Sequence, residues 1–229
     1  MPQRTFVKYT FVKVDPEWRR RDPLERAQDK REFAAACDDF AEDHYLRAYS
    51  LVGTRGDCDL MVRSASSNLD AIHELHVVLN QSGLMRYADI PHSYLAVTKE
   101  SIYADEPQPL APRPADHKYL IVYPMWKKRE WYRLAEDERM SIMREHIAVA
   151  RRFTGISTNT AYSFGLDDQE FVVAFDADDP MQFMDLVQEL RATESSAYTE
   201  SETPIFTCRH LSVERALDAL DGEAVRATT

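Results

Sequence analysis

Apolar positions along the chain recur with two periods, two residues and three to four residues, and the points where the period changes mark its elements. From Phe6 to Val14 the pattern alternates and stops at Asp15-Pro16, which predicts a first strand ended by a turn. Asp22-Pro23-Leu24-Glu25 reads as a helix start, with Asp as N-cap, Pro at the first position and Glu closing a capping box, and the helix runs to about Glu42. Residues 46–52 and 58–63 read as strands joined by the Gly-containing loop 53–57. Ser67 or Asn68 caps a helix in which Leu69, Ile72, Leu75 or His76, and Leu79 share a face, ending near Gly83. A further strand covers 92–98, and the Pro-rich stretch 106–114 predicts an extended linker.

After the linker the same order returns. Tyr119, Leu120, Ile121, Val122 and Tyr123 form an apolar strand that Pro124 is expected to close, which puts Tyr123 at a strand end. A short basic and aromatic connection leads to a helix with Ile142, His146, Val149 and Phe153 on one stripe, so His146 points inward. A strand is expected at 161–165 and another at 170–175, joined by the hairpin 166–168. A helix from Asp179-Pro180 to about Thr193 and a last strand over 204–210 follow. AYSLVG at Ala48 is matched by AYSFG at Ala161, an offset of about 110 residues, the mark of a duplicated module.

Each half therefore reads βαββαβ, and the fold class is α+β: two ferredoxin-like modules packed as a dimeric α+β barrel, helices outside. The modules are placed at 1–105 and 117–229, with the linker at 106–116. On the first helix of the first module the positions corresponding to the His146 stripe hold Phe33, Cys37 and Phe40, so a ligand site belongs to the second half.

Composition narrows the function. The 229 residues carry 39 acidic against 28 basic side chains, a net charge of −11, which argues against nucleic acid or an anionic membrane surface as partner. Small molecules and protein partners fit better. No run of 18 apolar residues occurs and no apolar leader precedes the first strand, so a soluble cytoplasmic protein is expected. Cys37, Cys58 and Cys208 form no CxxC, which leaves no zinc, disulfide or covalent haem motif and predicts buried free thiols.

A lone histidine on an apolar helix face is ordinarily a hydrogen-bonded core residue. The ordered series VDPEWRR, RAYSLVGTRGDCDLM, VYPMWKKREWY, Met143-x-x-His146, YSFGLDDQEF and TPIFTC changes that reading, because over nearly the whole chain it resembles the chlorite dismutase-like superfamily of haem proteins. That superfamily includes chlorite dismutases, coproheme decarboxylases and haem peroxidases. The resemblance implies iron porphyrin held in the C-terminal module, either haem b or coproheme as both substrate and cofactor. It also implies a homo-oligomer, usually a homopentamer.

Residue by residue, the resemblance makes His146 the proximal iron ligand and Glu194 the carboxylate that would take the other ring N–H. Tyr123 falls where coproheme decarboxylases carry a tyrosine that becomes a radical and attacks the propionates, and Lys127 falls beside the reacting propionate. Trp131, Tyr198 and Thr203 join the porphyrin-contacting set, Tyr198 standing where many decarboxylases have an Arg. Thr158 stands at the distal position, where chlorite dismutases have an Arg, so no guanidinium is available to a chlorite-derived oxidant. The resulting expectation is an oxidoreductase that converts iron-coproporphyrin III to haem b with hydrogen peroxide. The alternatives are a chlorite dismutase-like haem peroxidase and a non-enzymatic haem carrier or sensor.

Overall fold

The structure, a computed structural model, describes residues 4–99 and 117–222. The Pro-rich linker expected at 106–116 lies outside the described residues. In chain order the elements are β1 (Phe6–Val14), α1 (Pro16–Arg20), α2 (Pro23–Asp43), β2 (Tyr45–Ser50), β3 (Leu60–Ser66), α3 (Leu69–Leu79), β4 (Ala88–Val97), β5 (Tyr119–Lys127) and α4 (Glu136–Ala150). They continue with β6 (Ile156–Tyr162), β7 (Phe171–Ala177), α5 (Pro180–Arg191), α6 (Glu194–Ala197), β8 (Thr199–Ser201), β9 (Phe206–Leu211) and α7 (Val213–Asp218). Three of the long helices start where local chemistry places them: Asp22, Asn68 and Asp179 accept the backbone N–H two residues on. No helix of the described residues is long and apolar enough to cross a membrane.

The chain divides into two compact units, one of residues up to Leu95 together with those from Cys208, the other Ala96–Thr207. In the first, the strand order β4-β1-β3-β2 is the ferredoxin-like one, with β3 antiparallel to both β1 and β2. Phe33, Cys37 and Phe40 of α2 are buried in its core with Trp18, Val12 and Leu60. The units cut the chain differently from the sequence modules: Arg209, His210 and Leu211 pair with β2, and Ala216, Leu217 and Leu220 bury in this first core. Lys30 and Arg26 of α2 fasten the segment through Asp218 at 2.9 Å and Asp221 at 3.2 Å. Helix α7 has no counterpart in the sequence reading.

Within this unit Asp29 is buried and accepts from Trp18 Nε1 at 2.9 Å and from Arg21. Gly83 backs directly onto it: a Cβ there would stand 1.8 Å from Asp29 Oδ1. Gly83→Ala must therefore displace a buried, doubly bonded carboxylate, and we expect it to cost ~2 kcal/mol, read as a lower thermal midpoint of the full chain.

In the second unit β7 lies between β5 and β6, repeating the β1-β3-β2 arrangement, with Ile121 opposite Phe175 and Phe175 opposite Thr158. Two sequence expectations are corrected here. The strand expected at 161–165 lies upstream at Ile156–Tyr162, because the alternating, β-branched stretch does the pairing, whereas Gly165 has φ 73° and belongs to the turn. Pro124 does not close β5; it pairs with Val172 in a strand that runs on to Lys127. Met125 C=O accepts from Glu170 N–H, so alternation points the backbone of Pro124 away from β7, and the absent proline N–H removes no bond from that ladder. On the other edge β8 starts to pair only at Trp126. Tyr123 is consequently mid-strand.

Candidate functional site

Directly opposed residues of an antiparallel sheet share a face, which fixes the rows Tyr123–Val173–Thr160 and Ile121–Phe175–Thr158. This is the helix side, since Ile121, Tyr123, Val173 and Phe175 pack with Phe183 and Leu186 of α5. At β6 the cover ends: Thr158 and Thr160 are exposed although their row partners are buried. Helix α4 lies against α5 and α6, its Ala150 packs on the cluster of Ile121, Tyr123 and Phe175, and along it only Ile142 is fully buried. Met143, His146, Ile147 and Val149 of α4 are only half-buried.

His146 Nδ1 is buried and has no hydrogen-bond partner. Burial first, and the nearby Lys127 charge second, push the imidazole down to about 4 against the pull of Glu145, so it is neutral at ordinary pH with a free lone pair. The carboxylate expected at Glu194 is not on that ring: its side chain is exposed and its backbone N–H donates to Glu145 at 3.1 Å. A neutral histidine whose buried Nδ1 has no partner fits a porphyrin iron, for which a neutral imidazole is a suitable ligand.

Tyr123 is buried and stacks on Phe175, ring centroids 6.1 Å apart. Burial, then Glu202, hold its phenol above the ordinary value, with Arg191 opposing, so the O–H stays protonated. Lys127 is buried where the β5–β8 register shifts. Its Nζ donates to Ser195 O at 3.0 Å, Ser195 Oγ at 3.2 Å and Thr199 Oγ1 at 3.2 Å, and lies 5.0 Å from the centre of the Trp131 ring. Burial lowers the amine to about 8, against Glu202.

Trp131 is buried and meets the Tyr198 ring at 5.5 Å, and Tyr198 C=O receives Lys128 N–H at 2.8 Å. The structure thus gathers Lys127, Trp131 and Tyr198 into one cluster. Thr203 is exposed and bonds only to Ser201, 3.3 Å away, on the far side of β8 along the chain. Thr158 stands at the uncovered edge.

Sequence reading missed Glu170, Ser195 and Thr199. Glu170 is buried and accepts Lys127 N–H at 2.8 Å and Tyr132 O–H at 2.6 Å, which pins the end of β5 to the connection that follows it. Ser195 Oγ reaches Met143 Sδ on α4 at 3.6 Å as well as Lys127. No periodicity announces these residues, because contacts between segments distant in the chain set their roles. In the other unit Asp57, Cys58 and His92 converge within 4.8 Å. There Arg55 already binds both Asp57 oxygens, at 2.8 and 2.6 Å, holding the carboxylate well below its ordinary range, and burial pushes the Cys58 thiol up to about 12. Both Asp57 oxygens are thus committed to Arg55, and one also meets His92 Nε2 at 2.9 Å. All three cysteines are buried and free.

The family model described as chlorite dismutase matches residues 26–211. A coproheme decarboxylase of Mycolicibacterium smegmatis is 31% identical over 175 residues, 75% of each chain. Among solved structures, a chlorite dismutase of Candidatus Nitrospira defluvii in complex with imidazole superposes with TM-score 0.87 at 19% identity over 95% of both chains. A haem-binding protein of Thermus thermophilus superposes with TM-score 0.85 at 27% identity, again over 95% of both. These likenesses give the chain the α+β fold of chlorite dismutase structures, built from ferredoxin-like modules.

Proposed function

The chain belongs to the chlorite dismutase family, whose members include haem-binding enzymes, and from that premise we propose that it is a coproheme decarboxylase, an oxidoreductase turning iron-coproporphyrin III into haem b with hydrogen peroxide. The observation that carries the reading is that one strand, β5, holds both a buried, protonated phenol and a buried ammonium with no carboxylate of the described residues in ion-pair range. His146 would hold the iron, and Trp131 and Tyr198 would pack on the ring. When bound, the porphyrin iron supplies the reaction of peroxide that generates the oxidising equivalents.

The residues of this chain do the rest. Each propionate is to lose carbon dioxide, one proton and two electrons to become vinyl, while one peroxide takes up those electrons and two protons to leave as water. Tyr123, still carrying its hydrogen, can surrender it as an atom and recover one from the propionate carbon next to the ring. Lys127 holds the carboxylate in place and, with its amine near neutrality, can pass a proton. Thr158 offers no guanidinium at the distal side, which argues against chlorite dismutation. The alternative of a haem peroxidase or haem carrier is favoured by one observation, the packing of Tyr123 in the apolar cluster as a purely structural tyrosine would pack. A homo-oligomer, pentameric and cytoplasmic, belongs to the same proposal.

Mixing the protein with ferric coproporphyrin III and titrating peroxide, with porphyrin masses read at each step, tests the reading. A mono-vinyl species followed by haem b is expected. Inert coproporphyrin iron together with tight haem b binding would overturn it. Affinity should also depend on pH in a defined sense. Ligand-free Lys127 keeps its proton below about 8 and loses it above, so affinity for the carboxylate-bearing porphyrin should fall as pH rises through that value. His146 stays neutral down to about 4 and sets only a lower limit. Soret titrations across pH should show the upper limb in the wild type and lack it in Lys127→Met.

A further inference from the structure

Among the described residues of the second unit, two buried side-chain atoms have no hydrogen-bond partner, and both lie on α4: Arg139 Nε and His146 Nδ1. They are two helical turns apart, so they share one stripe over a rise of about 10 Å, with Met143 between them. Arg144, the other arginine of the helix, is exposed, whereas Arg139 is half-buried. Nothing in the helix itself accounts for a cation there. Arg139 stands near the positive end of the helix dipole, and although Glu136, Asp137 and Glu138 fill the first turn, none of them forms an ion pair with it among the described residues. Other carboxylates of the unit are already engaged: Glu170 by Arg129 and Tyr132, Glu189 by Arg152, and Glu202 by Arg191. A guanidinium grips a carboxylate side-on through Nε–H and one Nη–H, and a buried Nε–H is a cost to the fold until such an anion arrives.

We infer that Arg139 holds a ring carboxylate of the porphyrin through Nε–H and an Nη–H, and so selects a carboxylate-bearing porphyrin over one without. Iron at His146 and a carboxylate at Arg139 engage with one ligand the two side chains that α4 leaves unpartnered, the ring centre at one and a peripheral arm at the other. This rests on the reading that His146 takes the porphyrin iron. The carboxylate is a different one from that at Lys127. Lys127 Nζ reaches α4 by way of Ser195 Oγ at Met143, one turn, about 5.4 Å, from Arg139 along the helix. A guanidinium keeps its proton throughout, so Arg139 moves neither proton nor electron and acts by positioning and selection.

The test uses the full chain, with ferric coproporphyrin III and its tetramethyl ester compared by Soret titration and phenylglyoxal labelling of Arg139 read by mass spectrometry. Arg139→Met keeps an unbranched stem and removes the fork; it should weaken binding of the free acid at least ~10-fold, the cost of one hydrogen bond to a charged group, and leave the ester unaffected. Arg139→Lys keeps the charge without the fork and should fall between Arg139→Met and wild type. Combined with Lys127→Met, the two losses should multiply, as for groups that hold separate carboxylates. Coproporphyrin iron should shield Arg139 from phenylglyoxal, and porphyrin-free Arg139→Met should melt no lower than wild type. Arg144→Met is the exposed control. Free-acid affinity of Arg139→Met equal to that of the control, equal weakening toward acid and ester, or labelling that the porphyrin does not alter would each overturn the assignment, and losses that do not multiply would overturn the separate carboxylate. A wild type that binds and never releases carbon dioxide would overturn the decarboxylase reading instead, and an unchanged spectrum in His146→Ala would overturn the iron placement, while the acid-to-ester ratios still decide Arg139.

Discussion

Tyr123→Phe should bind ferric coproporphyrin III as the wild type does and release carbon dioxide at least ~1,000-fold more slowly when peroxide is added, equivalent to ~4 kcal/mol of barrier. The substitution removes one oxygen from a side chain packed among Ile121, Val173 and Phe175, and a near volume-conserving change of this kind ordinarily costs less than ~1.5 kcal/mol. What it takes away is the O–H bond. A phenyl ring has no hydrogen it can give up and regain at comparable cost, so a propionate carbon would keep its own. The phenol is held above its ordinary titration range, so the loss should be the same across the neutral range rather than confined to one pH limb. Carbon dioxide release by gas analysis and porphyrin masses after peroxide are the two readouts. Equal turnover by Tyr123→Phe and wild type would remove Tyr123 from the mechanism.

The second large effect is expected at His146. Its replacement by Ala should lower affinity for ferric porphyrin by more than ~100-fold, because losing merely the outer partner of a metal-bound histidine costs about 10- to 100-fold. The Soret band of what still binds should shift, and free imidazole should restore both band and affinity by entering the space left. The buried, unpartnered Nδ1 adds a sign to the stability change. A polar ring atom without a partner destabilises the ligand-free fold, so His146→Ala should leave the melting temperature of the porphyrin-free protein unchanged or raised. An unchanged spectrum and affinity would show that His146 is an ordinary half-buried histidine.

The order and type of the elements were legible because they depend on neighbours in the chain. Asp22-Pro23, Asn68 and Asp179-Pro180 cap their own helices, and the alternation of Phe6–Val14 needs no partner to be seen. The repeat was legible as letters, and Ala48 and Ala161 do fall on β2 and β6, the corresponding strands of the two modules. His146 and Tyr123 could be singled out from helical spacing and from the strand they end or cross.

The misreadings share one physical cause: a ladder or an ion pair formed between residues far apart. Pro124 looks like a stop by its own chemistry, yet β5 continues because β7 holds the neighbouring residues and the missing N–H points to the other edge. The burial of Lys127 has the same cause, since the β8 pairing turns it inward onto Ser195 and Thr199. The tail after Cys208 looks like the end of the second module, yet Ala216, Leu217 and Leu220 bury their apolar surface in the first core, where Lys30 and Arg26 meet Asp218 and Asp221. The sequence by itself thus determined the order and type of most elements, because caps and alternation act between neighbours in the chain. Only the tertiary structure decided which cation lies buried without a counter-charge, because burial and pairing are set by where distant strands place a side chain and by how little water is left around it.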